Sequence, residues 1–162
     1  MQGVNVRYLI MLMLLGLAGA PSQADTERDA YMRLFTIEGE YADVREDLEL
    51  AITGRGMVVN NVSHIGNMLA RTGKVAGSGK QIFVEAEALE FCSSVISRKM
   101  MEADPHNIVF CPYIIAIYTL PGEKDKVYLA YRRPLPVGSP ASRQALQAVE
   151  KLLQGIVDDV LN

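Results

Sequence analysis

The segment Glu90–Tyr113, EFCSSVISRKMMEADPHNIVFCPY, holds both cysteines of the chain, Cys92 and Cys111, each directly after a phenylalanine. A strand pattern leads into it, and the stretch from Ser93 has the composition of a helix with a serine cap and a proline terminator. A second strand pattern follows the second cysteine. Four uses of the two thiols are open: a disulfide, a soft-metal or haem site, a redox pair, or unrelated packing residues.

On both sides of this segment the chain alternates between strand and helix patterns. Strand patterns of β-branched and alternating apolar residues predict strands over 30–39, 57–66, 81–91, 112–120 and 126–133. Apolar residues at helical spacing predict helices over 41–56, 93–103 and 139–162, and residues 66–80 predict a short helical turn with a glycine-rich connection. This order predicts an α+β fold with two layers, a largely antiparallel sheet carrying helices on one face.

The N-terminus, residues 1–24, has the pattern of a secretory signal peptide. It reads MQGVNVRYLIMLMLLGLAGAPSQA, with one positive charge at Arg7, an apolar run from Tyr8 to Leu17 and small residues before Ala24. The alternative is a retained anchor, but the apolar run is shorter than the ~20 residues that span a bilayer. We therefore predict cleavage after Ala24, no stable membrane anchor afterwards, and a periplasmic or secreted protein.

The rest of the chain is long enough for one domain with its own core. We assign residues 25–138 to an α+β domain and residues 139–162 to an amphipathic helix that packs on this domain or on a dimer mate. The formal net charge is −3 and tryptophan is absent, so the composition offers neither a basic surface nor a stacking platform for nucleic acid. We expect no nucleic-acid partner.

The candidate site residues are Cys92, Cys111 and His64. Thiolate and imidazole are ligand types that suit copper, zinc or haem iron, so the three could form a metal or haem site, although binding no cofactor is an equal alternative. Further sulfur and imidazole groups could join them from Met68, Met100, Met101 and His106. Cys92 precedes a predicted helix, whose unpaired N–H groups would favour its thiolate.

Whether the two thiols can meet depends on the direction of the strand that follows Cys111. A parallel strand would place Cys111 at the opposite end of the sheet, beyond the ~7 Å limit for bridged Cα atoms. The connection from Asp104 to Phe110 is long enough to return the chain, and an antiparallel strand would then put both cysteines at one end. We favour the antiparallel layout and predict neighbouring thiols, with His64 as a possible third member.

The order of elements resembles that of the domain of unknown function 302 family. The matching stretches are LEFCSS (89–94), EADP (102–105), FCPYIIAIY (110–118) and VYLAYRRP (127–134) within residues 30–134, although many relatives have Asn-Pro where this chain has Ser93-Ser94. The resemblance implies a compact α+β fold and a homodimer, and it implies no established reaction.

Three functions follow as hypotheses. The first is an exported, dimeric binding module that holds a small-molecule ligand, metal or haem near Cys92, Cys111 and His64. The second is a thiol redox protein that uses Cys92 with Cys111, and the third is a partner-binding subunit without chemistry of its own. Whether a reaction is catalysed stays open, because no sequence signature of a known catalytic site is present.

Overall fold

The computed structural model describes residues 28–162, and the predicted signal peptide, residues 1–24, lies outside them. Within this range the strands are β1 (Met32–Glu38), β2 (Val59–Ser63), β3 (Ala86–Phe91), β4 (Tyr113–Tyr118) and β5 (Lys126–Arg132). The helices are α1 (Tyr41–Gly54), α2 (Ile65–Thr72), α3 (Ser94–Ala103) and α4 (Pro140–Leu161), and a 3-10 helix spans Pro105–Phe110.

The described strands form one sheet in the order β1-β5-β4-β3-β2. Each pair of neighbouring strands is antiparallel, including β3 and β4, which flank the segment that carries the cysteines. The prediction of an α+β fold with a largely antiparallel sheet is confirmed.

One face of the sheet carries the hydrophobic core. In β4, alternate residues Tyr113, Ile115 and Ile117 are buried, as the two-residue period of a strand requires. α1, α3 and α4 cover this face through the buried residues Val44, Leu48, Ile52, Met100, Leu146, Val149, Leu153, Ile156 and Val157. The C-terminal helix therefore packs on its own domain and forms a large part of the core.

The short helix α2 lies against the beginning of β3 rather than over the core. A Cβ added at Gly66 would come within 2.9 Å of the Ala86 backbone nitrogen, so only glycine allows the two elements to approach this closely. β3 begins at Ala86 and not at residue 81 as predicted, because Ala86 lies opposite Tyr118, the last residue of β4.

The connection between α3 and β4 is folded into the 3-10 helix, which the sequence analysis did not predict. The side chain of Asp104 begins this helix by accepting a hydrogen bond from the backbone N–H of His106 at 2.9 Å. Asn107 is buried behind it and donates to the carbonyl of Met100 at 3.0 Å and to Oγ of Ser142 at 2.9 Å. This network joins the connection to the end of α3 and the start of α4.

In residues 28–162, none of the helices has both the length and the apolar character of a membrane span.

Candidate functional site

The antiparallel pairing of β3 with β4 brings the two cysteines together. Phe91 lies opposite Tyr113, so Cys92, just after β3, and Cys111, just before β4, extend from the same end of the sheet. Their Sγ atoms are 3.0 Å apart, which is longer than the 2.03–2.05 Å of a disulfide bond, and both are free thiols. The prediction that the thiols are neighbours is confirmed.

The thiol pair lies beside side chains of α3 and β4. The ring of Phe91 packs edge-on against Tyr113, with centroids 6.1 Å apart. Oγ of the buried Ser97 lies 3.9 Å from Sγ of Cys111 and 2.9 Å from the hydroxyl of Tyr113. Both cysteines are half-buried, so the sulfur atoms are screened from water without being sealed from it.

Burial, together with contact with Cys111, raises the pKa of the Cys92 thiol to about 11. A backbone hydrogen bond from Tyr113 acts in the opposite direction without reversing the shift. The expectation that the helix N-terminus favours a Cys92 thiolate is therefore wrong. Burial is the main reason. The N-cap of α3 is Ser93 and not Cys92, since Oγ of Ser93 accepts a hydrogen bond from the Ile96 N–H at 3.4 Å.

His64 does not join the thiol pair. It follows β2, which runs antiparallel to β3, so it lies beside the beginning of β3 while Cys92 follows its end. Nδ1 of His64 is 2.7 Å from Oε1 of Glu87, and Arg45 contacts the other oxygen of Glu87 at 3.0 Å. The extended chain from Glu87 to Cys92 spans roughly 16 Å at ~3.3 Å per residue, too far for a shared metal.

His64 therefore cannot bind the same metal ion or haem as Cys92 and Cys111, contrary to the predicted site. Among residues 28–162 there is no group of three His, Cys, Asp or Glu side chains that could hold a metal ion. Met100 is fully buried in the core and Met101 packs against it, so both have structural roles. Two thiolates supply half of the four ligands of a structural zinc site.

The arrangement does suit two-electron thiol chemistry. The Sγ–Sγ distance of 3.0 Å exceeds the length of a disulfide bond by only about 1 Å. Both cysteines were predicted as site residues from the sequence, but Ser97 and Tyr113, which line the site, were not. The antiparallel pairing of β3 with β4 could have identified Tyr113, because this pairing places it opposite Phe91, next to Cys92.

The chain matches the family model described as "Domain of unknown function DUF302" over residues 35–160, a range that includes both cysteines and all of α4 except its last residue. No curated protein matches the chain. Among solved structures, the crystal structure of a conserved DUF302 protein from Bacillus stearothermophilus is similar, with a TM-score of 0.65 and 16% sequence identity. The similarity covers 80% of this chain and 97% of that one, and at this identity it supports the fold alone. Because the family model spans most of the chain, the protein belongs to the DUF302 family.

Proposed function

We propose that the protein is an exported thiol–disulfide redox protein in which Cys92 and Cys111 alternate between a dithiol and an intramolecular disulfide. The observation that supports this most directly is the 3.0 Å separation of the two sulfur atoms at one end of the sheet. Export is supported by the signal-peptide pattern of residues 1–24, and oxidising compartments are where disulfides form and persist. We also propose that the protein forms a homodimer, which is supported by the family resemblance alone.

The raised pKa of Cys92 suggests different roles for the two thiols. Because burial and contact with Cys111 raise the pKa of Cys92, we assign the first attack on an external disulfide to Cys111. Cys111 gives its proton to solvent, and its Sγ bonds to one sulfur of the external disulfide and expels the other sulfur as a thiolate, which takes up a proton from solvent. Cys92 then loses its proton to solvent, attacks Sγ of Cys111 and expels the second thiolate. Two protein thiols are oxidised and one external disulfide is reduced to two thiols.

A binding module built on the same residues has weaker support. His64 is paired with Glu87 at the other end of β3, and residues 28–162 contain no group of three His, Cys, Asp or Glu side chains that could hold a metal ion. The redox function needs the two thiols alone.

The test is oxidation of the reduced protein by glutathione disulfide at neutral pH, followed by intact-mass spectrometry. The wild type should lose the mass of two hydrogen atoms and retain no glutathione. Cys92→Ser should accumulate a stable glutathione adduct on Cys111, because no second thiol resolves it. Cys111→Ser should react more slowly, because burial keeps Cys92 protonated.

Wild-type protein that stays unmodified, or that retains bound glutathione, would contradict the proposal. Equal adduct rates for the two serine variants would contradict the assignment of Cys111 as the attacking thiol while leaving the redox pair in place.

A further inference from the structure

A cleft of about 290 Å³ lies at the end of the sheet where β4 begins and β5 ends. Its walls come from both strands, from α4 and from the 3-10 helix, and include Val109, Ile114, Arg132, Val149 and Leu153. The cysteines do not line it. The volume lies near the lower end of the roughly 300–1,000 Å³ typical of small-molecule sites.

The cleft exists because two strands of the sheet part early. The pairing of β4 with β5 stops at Ala116 and Ala130, whereas β5 continues to pair with β1 as far as Arg132. In the same register Ile114 would lie opposite Arg132, but no strand pairing joins them. Both residues line the cleft instead, so the opening lies between two strands that are neighbours elsewhere along their length.

The charge of the cleft is one-sided. Two arginines line it, and no carboxylate does. Arg133 is already satisfied, since its Nε is 2.6 Å from Oε1 of Glu150 and its Nη1 donates to the carbonyl of Asp29 at 2.7 Å. Arg132 is exposed, and its guanidinium makes no ion pair or hydrogen bond with any other residue of 28–162. One arginine without an ion-pair partner among residues 28–162 therefore belongs to a cleft lined mostly by apolar residues.

We propose that this cleft binds a small organic carboxylate with an aromatic or aliphatic body. The carboxylate pairs with the guanidinium of Arg132, which offers two parallel N–H donors to its two oxygens. The apolar body lies against Val109 and Ile114, which also line the cleft and are not fully buried. Tyr113 lines both this cleft and the thiol site, but the carboxylate proposal does not depend on the redox function.

Phenylacetate is a suitable probe, with phenylacetamide as its neutral counterpart of similar shape. Each is titrated into ¹⁵N-labelled protein and followed by amide chemical shifts. Phenylacetate should produce saturable shifts that cluster at Val109, Ile114 and Arg132, and phenylacetamide should bind at least about tenfold more weakly, a difference that corresponds to about 1.4 kcal/mol. Equal affinities for acid and amide, or shifts that cluster elsewhere, would overturn the proposal without any mutant.

Arg132→Gln removes the charge and keeps an exposed polar side chain. It should weaken phenylacetate binding at least about tenfold and leave phenylacetamide binding unchanged. Arg98→Gln is the matched control, because Arg98 is an exposed arginine on α3 that pairs with Glu102 and does not line the cleft. The affinity of the Arg98→Gln variant for phenylacetate should stay within about twofold of that of the wild type. Unchanged phenylacetate affinity in Arg132→Gln would refute the role of Arg132 and with it the carboxylate site.

Discussion

Cys92 shows how burial can outweigh the position of a residue beside a helix N-terminus. A helix dipole contributes about 0.3–1 kcal/mol at an exposed site, and it acts only where the N–H groups point at the charge. Here Ser93 takes the cap, and the sulfur of Cys92 faces Cys111. The position of Cys92 could be read from the sequence, but its environment could not, because it depends on which residues pack around the thiol.

The raised pKa of Cys92 predicts a pH-dependent loss of stability in the reduced protein. A thiol whose pKa is higher in the folded state than the ordinary 9.0 stabilises the fold at lower pH, and this contribution is lost as pH rises through about 11. Urea unfolding of the reduced wild type should therefore show a midpoint that falls between about pH 9 and pH 11.

Cys92→Ser is the control, because it keeps the buried tyrosines whose pKa values are also raised. The wild type should lose more stability across this range than the variant does. Parallel curves for the two proteins would mean that Cys92 ionises equally well in the folded and unfolded chains.

At the scale of elements, the 3-10 helix between α3 and β4 leads the chain to Cys111 and to the start of β4. Its buried Asn107 exchanges hydrogen bonds with Ser142, whose Oγ donates to Oδ1 of Asn107 at 3.2 Å. Buried polar groups that lose a partner cost about 1–3 kcal/mol. The network therefore holds the connection in one conformation and thereby supports the approach of Cys111 to Cys92.

Asn107→Ala should lower the free energy of unfolding by about 1–3 kcal/mol, because the carbonyl of Met100 and the hydroxyl of Ser142 lose a buried partner. Chemical denaturation measures this change. Asn67→Ala, on the exposed surface of α2, is the control and should change stability by less than about 0.5 kcal/mol. Equal effects of the two substitutions would show that the network does not stabilise the fold.

The sequence predicted the regular elements well and the irregular ones poorly, for physical reasons. The strand patterns of β4 and β5 and the amphipathic stripe of α4 depend on local periodicity, which a sequence displays directly. The proximity of the thiols followed from the choice of an antiparallel strand after Cys111. The 3-10 helix and the partner of His64 depend on contacts between distant segments, which no local pattern records.

At the scale of the whole molecule, the C-terminal helix is part of the family domain and not an addition to it. The family match continues to residue 160, and α4 contributes Leu146, Leu153 and Ile156 to the core under the sheet. The sheet, with three helices over one face, holds the ends of β3 and β4 in fixed register. The two cysteines flank paired strands of this sheet, so we expect the distance between their sulfur atoms to vary less than it would in a loop outside the sheet.

The most direct test of the central claim is a redox titration of the whole protein in glutathione buffers, with the fractions of dithiol and disulfide counted by acid quench and mass spectrometry. We expect one two-electron transition, reached from the oxidised and the reduced side at the same buffer composition, since the folded chain accommodates both states. Cys92→Ser should form no intramolecular disulfide and should show only the glutathione adduct on Cys111. Native protein that stays fully reduced in oxidising buffer, or whose disulfide resists every reducing buffer until the chain is unfolded, would contradict a reversible pair.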